Sequence, residues 1–157
     1  GDAPANTVDG VVAVRAGATA LRRDLAPFRA AIDAGVQLVM ISSAAYPALD
    51  PSRTPAMFSR PIVSGLLRAQ LGFRGVVVTD ALDAPAAART PHAPARAIAA
   101  GVDLLLYTSE AASEAGYASL VADAAASPTL RHALQTASVR IAALKQWLAA
   151  RGGPACG

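Results

Sequence analysis

Gly72-Phe73-Arg74-Gly75-Val76-Val77-Val78-Thr79-Asp80 runs from a glycine-bounded turn through three valines to a threonine and an aspartate. Branching at Cβ crowds valine in a helix and suits it to an extended chain. A strand without polar alternation is covered on both faces, as in a parallel sheet flanked by helices. Asp80 follows the strand directly, so a rigid element carries its carboxylate to the sheet's edge. A carboxylate so held suits a nucleophile, a general base or a metal ligand. It equally suits the N-cap of a following helix.

Outward from this strand the same grammar repeats. Upstream, Leu21, Leu25, Phe28 and Ile32 recur at helical spacing, which predicts one helix over residues 20–34 ended by Gly35. Val36-Gln37-Leu38-Val39-Met40-Ile41 then reads as a buried strand. Ser59 is a candidate N-cap with Pro61 in the first turn, ahead of a helix carrying Ile62, Val63, Leu66, Leu67 and Leu71. Downstream, Pro85, Pro91 and Pro94 break residues 81–94 into loop or interrupted helix, and a short helix over 95–100 ends at Gly101. Asp103-Leu104-Leu105-Leu106-Tyr107 reads as a third strand, followed by helices over 117–126 and 130–150 separated near Pro128. Residues 1–19 read as loop, and Gly152-Gly153-Pro154 as a mobile tail. Helices alternating with short apolar strands predict an α/β fold with parallel strands. Right-handed crossovers put every strand's C-terminal end on one rim. Ser42–Ser43, Thr79–Asp80 and Thr108–Ser109 are expected there.

Composition narrows the function classes. An apolar fraction of 54% over 157 residues can bury a core, although alanine supplies much of it and aromatics only 4%. The formal charge of +3 comes from scattered arginines and a single lysine, Lys145. Nucleic-acid binding calls for clustered cations interleaved with aromatics, so none is expected. No apolar run reaches the length of a membrane span, and Cys156, the only cysteine, excludes an internal disulfide. Neither histidine pair spacing nor a cysteine cluster offers a metal site, and no glycine-rich phosphate loop or cofactor motif occurs. His92 in a proline-rich loop, His132 near a helix start and Asp83 in the turn after Asp80 all read as solvated. Trp147 shares a helix face with Ile141, Leu144 and Leu148, which is a packing pattern.

The segment Gly72 to Asp83 resembles a signature of family 3 glycoside hydrolases, in particular the bacterial β-N-acetylhexosaminidases. Asp24-Leu25-Ala26-Pro27-Phe28, Ala30-Ala31-Ile32-Asp33-Ala34-Gly35, Val39-Met40-Ile41-Ser42-Ser43, Tyr46-Pro47-Ala48-Leu49-Asp50 and Ala99-Ala100-Gly101-Val102-Asp103-Leu104-Leu105-Leu106 follow the family in order. The likeness runs through residues 21–106. The family fold is a (β/α)8 barrel of about 250 residues. The chain is therefore expected to be a partial barrel holding the last three or so strand-helix units, with residues 1–151 as the barrel part and 152–157 as a flexible tail. Unpaired barrel edges would then invite self-association.

The resemblance implies a retaining hydrolase of terminal β-N-acetylglucosaminides, with Asp80 as nucleophile and a carbohydrate as substrate. Ser43, Thr79 and Asp9 are the expected substrate contacts. Asp9 stands where the family's Asp-Ser-His loop has its aspartate, but Asn6-Thr7-Val8-Asp9-Gly10 contains no histidine to act as proton donor. A second reading is a catalytically inactive barrel fragment that only binds sugar or assembles with another chain. A third, a flavodoxin-like module with Asp80 as phosphoacceptor, lacks the acidic cluster and the strand-end lysine that this chemistry needs. No compartment follows from the sequence.

Overall fold

The computed structural model describes residues 3–7 and 9–152; Val8 and residues 153–157 of the tail expected at 152–157 lie outside them. Two helices open the chain, α1 (Ala18–Asp24) and α2 (Ala26–Asp33). One continuous helix was expected here. Pro27 has no N–H to donate and its ring crowds the preceding turn. The chain therefore breaks at Leu25, whose own N–H bonds back to the Leu21 and Arg23 carbonyls. Gly35 follows α2 at φ 83, the left-handed conformation that glycine adopts without a Cβ penalty.

Strand β1 (Leu38–Ile41) pairs in parallel with β2 (Val76–Thr79), in the register Leu38 with Val76 through Ile41 with Thr79. The connection contains a 3-10 turn at Ala56–Phe58 and a helix at Pro61–Gln70. That helix is wound wide, with π-type bonding continued by the Leu71 N–H to the Leu66 carbonyl. Ser59 precedes it as expected and accepts from the Ile62 N–H at 3.3 Å. Gly75 is required by contact: a Cβ there would collide with the Gln37 carbonyl, already the acceptor of Val76 N–H, and with the Phe73 ring.

The third strand forms only in part. Leu104 makes a single parallel bridge to Val78. On one side of it the Val77 N–H donates to the Asp103 carboxylate (2.9 Å) and on the other the Leu106 N–H donates to the Thr79 hydroxyl (2.9 Å). Side chains thus take bonds that a regular ladder would give to backbone carbonyls. The segment still lies beside β2, and the strand order is that of a parallel α/β sheet.

Helices α3 (Pro85–Ala88) and α4 (Ala93–Ala100) follow β2. The last two, α5 (Glu110–Ala126) and α6 (Pro128–Ala149), are capped by Ser109 and Ser127, whose hydroxyls accept from Ala112 and Leu130 N–H. α5 starts seven residues before the expected 117. Its Ser109 cap and Glu110 in the first turn outweigh the helix-weakening Gly116. The main core gathers Met57, Val63, Leu67, Phe73, Val77 and Val102 between β2, α4 and the Pro61–Gln70 helix. Each such buried side chain contributes roughly 1.5–3 kcal/mol. Alanines 97 and 100 let α4 approach closely. The other sheet face is less covered: Leu38, Met40, Leu104 and Leu106 remain exposed, Met40 by 54%.

Candidate active site

Asp80 emerges where β2 ends. Its N–H still donates to the Ile41 carbonyl (3.0 Å), so β1 fixes the backbone from which the side chain projects. The half-buried carboxylate accepts from the Ala81 N–H at 2.8 Å through Oδ1 and from the Ser43 hydroxyl at 2.8 Å through Oδ2. Both donors are neutral, and no arginine, lysine or histidine pairs with Asp80 among the described residues. The carboxylate is oriented but not neutralised, which leaves its charge for a reacting partner.

The sequence-predicted residues divide into three kinds. Ser43 does come to Asp80, but it is 1% exposed. Its hydroxyl also lies 2.9 Å from the Thr7 carbonyl. One proton serves these two acceptors, so Ser43 joins the Asp80 carboxylate to the loop before α1. Asp9 stands in that same loop, exposed, and accepts from Asn6 Nδ2 at 2.9 Å. Thr7 thus meets the same Ser43 hydroxyl that reaches Asp80. Thr79 has no exposed surface, and its hydroxyl accepts the Leu106 N–H. Its geometry is that of a strand-to-strand clamp.

Several residues read as solvated, or not singled out, hold the rim in place. Asp83 accepts from both the N–H and the hydroxyl of Thr108 (hydroxyl at 2.6 Å), tying the turn after β2 to the turn after the third strand. The Thr108 hydroxyl, first among its causes, keeps the Asp83 carboxyl below the usual carboxylate value. Asp50 accepts from the Ser59 hydroxyl and from Ser52, fixing the long loop after β1, and the same bonds hold its carboxyl low. At the opposite end of the sheet, buried Asp103 receives Arg68 Nη2, Arg140 Nη1 (2.9 Å) and the Val77 N–H. Burial pulls the Arg68 guanidinium down from its ordinary value, and Asp103 opposes that. A charged residue at the head of an apolar strand was the available signal, since a buried aspartate needs cations. The 35 and 37 residues separating it from its arginines hid which ones. His92 bonds Asp123 at 2.8 Å, and His92 and His132 line a cleft away from Asp80. Among the described residues no three histidine, cysteine or carboxylate side chains form a metal-binding group, and no helix is long and apolar enough to cross a membrane.

A parallel α/β sheet that presents an uncompensated carboxylate from a strand's C-terminal end is the frame of a loop-and-rim enzyme site. The chain belongs to the family described as glycosyl hydrolase family 3 N terminal domain, which matches residues 2–144. It is similar to a beta-hexosaminidase of Nitrosomonas eutropha, 39% identical over 88 residues, covering 54% of this chain and 25% of the relative. Among solved structures it is similar to a family 3 beta-N-acetylglucosaminidase from a Paenibacillus species, 32% identical with TM-score 0.87, covering 100% of this chain and 31% of that one. A beta-N-acetylhexosaminidase from Beutenbergia cavernae is 38% identical with TM-score 0.80, covering 92% of this chain and 44% of that one. The chain thus spans about a quarter of the curated relative and less than half of either solved neighbour.

Proposed function

We propose that this chain carries the nucleophile of a retaining glycoside hydrolase acting on terminal β-N-acetylglucosaminides, and that the nucleophile is Asp80. One observation carries the proposal: a carboxylate at the end of a buried parallel strand, held at 2.8 Å by Ser43 and by the Ala81 N–H and, among the described residues, paired with no cation. In the first step an Asp80 oxygen bonds to the anomeric carbon while the bond to the leaving oxygen breaks and that oxygen takes a proton from a general acid. In the second, water adds to the same carbon and releases the carboxylate. Ser43 orients Asp80, and the loop carrying Asp9 borders the sugar. The parallel strands are the rim portion of a (β/α)8 barrel. The exposed Leu38, Met40, Leu104 and Leu106 suit a face covered by further strand-helix units or by another copy.

The test is turnover of a chromogenic β-N-acetylglucosaminide by the purified chain and by its Asp80→Asn variant. A nucleophile predicts a loss of about ten-thousand-fold or more. Equal turnover by both proteins removes Asp80 from the chemistry. A second reading has its own observation: residues 6–10 contain no histidine, and His92 and His132 line a different cleft. It holds that the chain binds sugar or assembles with another chain without catalysis. A cooperatively folded chain with no turnover favours that reading.

A further inference from the structure

The open cleft between α4, α5, α6 and the Pro61–Gln70 helix measures about 720 Å3, within the range of small-molecule sites. None of Asp80, Ser43 or Asp9 lines it. Four arginines do: Arg60, Arg68, Arg96 and Arg140. Among the described residues two carboxylates stand at the cleft or beneath it. Asp103 binds Arg68 and Arg140 beneath the cleft, and Asp123 binds His92 at its margin. Four guanidiniums against two carboxylates leave a surplus of two positive charges. Geometry places the surplus on Arg60 and Arg96. Both are exposed, and among the described residues neither guanidinium has a hydrogen bond or a carboxylate partner. Arg96 instead stacks over the Phe58 ring, 5.5 Å from its centre, which holds the guanidinium without neutralising it. His92 and His132 add ring nitrogens, and Ile98, Leu130 and Ala133 give the cleft an apolar wall.

A planar guanidinium fork matches phosphate oxygens two at a time. Two unpaired guanidiniums lining one cleft attract an anion to it. A phosphate alone would fill only a part of this volume, and the apolar wall offers nothing to it. We propose that the cleft is a binding site for a phosphorylated small organic molecule, with Arg60 and Arg96 gripping the phosphate and the Ile98–Leu130 wall taking the organic part. This site is independent of whether Asp80 acts on a sugar.

Isothermal titration of the full chain with adenosine monophosphate and with inorganic pyrophosphate tests it. The expected result is saturable binding at one site that weakens as salt rises. The Arg60→Gln/Arg96→Gln double variant, with melting temperature checked, is expected to lose about tenfold or more in affinity. Arg89→Gln, an exposed arginine outside the cleft, should keep it. Because both substituted residues are exposed, unfolding of the variant is not expected; if it unfolds, competition between the nucleotide and pyrophosphate for the unmodified chain reads the same site. The absence of saturable binding in the millimolar range, binding unchanged in the double variant, or nucleotide and pyrophosphate binding without competition each overturns the proposal.

Discussion

Two aspartates at opposite ends of the same sheet have opposite surroundings. Asp103, at the head of the third strand segment, is buried and receives two arginines and a backbone N–H. Asp80, at the tail of β2, is half-buried and, among the described residues, receives only a hydroxyl and an N–H. A carboxylate neutralised on every side can hold helices to a sheet but has no charge left for chemistry. One that is oriented by neutral donors keeps its charge available. Parallel strands make this division natural, because their N-terminal ends face helix C-termini and packing while their C-terminal ends open onto loops.

Substituting each aspartate in turn is the strongest way to break this contrast. Asp80→Asn should remove about ten-thousand-fold or more of any glycosidase turnover while its denaturant midpoint stays close to that of the unmodified chain. Asp103→Ala should do the reverse. It strands Arg68 and the Val77 N–H in the interior, at a cost of about 3–5 kcal/mol, read by urea unfolding. A large stability loss from the Asp80 change would place it in the same structural class as Asp103.

Smaller effects sharpen the contrast. Gly75→Ala forces a methyl onto the Gln37 carbonyl and the Phe73 ring, which should cost about 1–3 kcal/mol in the same unfolding assay. Ser43→Ala removes one neutral donor from Asp80, so turnover should fall about tenfold, in line with a loss near 1.4 kcal/mol. An unchanged rate would mean that the Ala81 N–H orients the carboxylate alone. The smallest effect is a pH dependence. Hydrogen bonds lower Asp50 and Asp83 in the folded chain below the ordinary 3.8. A depressed carboxylate contributes stability above its unfolded value and loses it as pH falls through the folded one. The melting temperature should therefore drop as the pH is taken below about 4, and Asp50→Asn should flatten that drop.

By itself the sequence determined the parallel α/β character and the place of Asp80. Three valines, a threonine and an aspartate following Gly72 and Gly75 admit few structures, and local sterics enforce them. It also carried the Ser59 helix start and the Gly35 and Gly101 stops, all of them effects of near neighbours. Tertiary structure alone decided the rest. Ser43 meets Asp80 across 37 residues, and Asp103 finds Arg68 and Arg140 across 35 and 37. The third strand gave up its regular ladder because Asp103 and Thr79 side chains took the bonds. Such pairings depend on which surfaces the fold presses together, and no local periodicity encodes them.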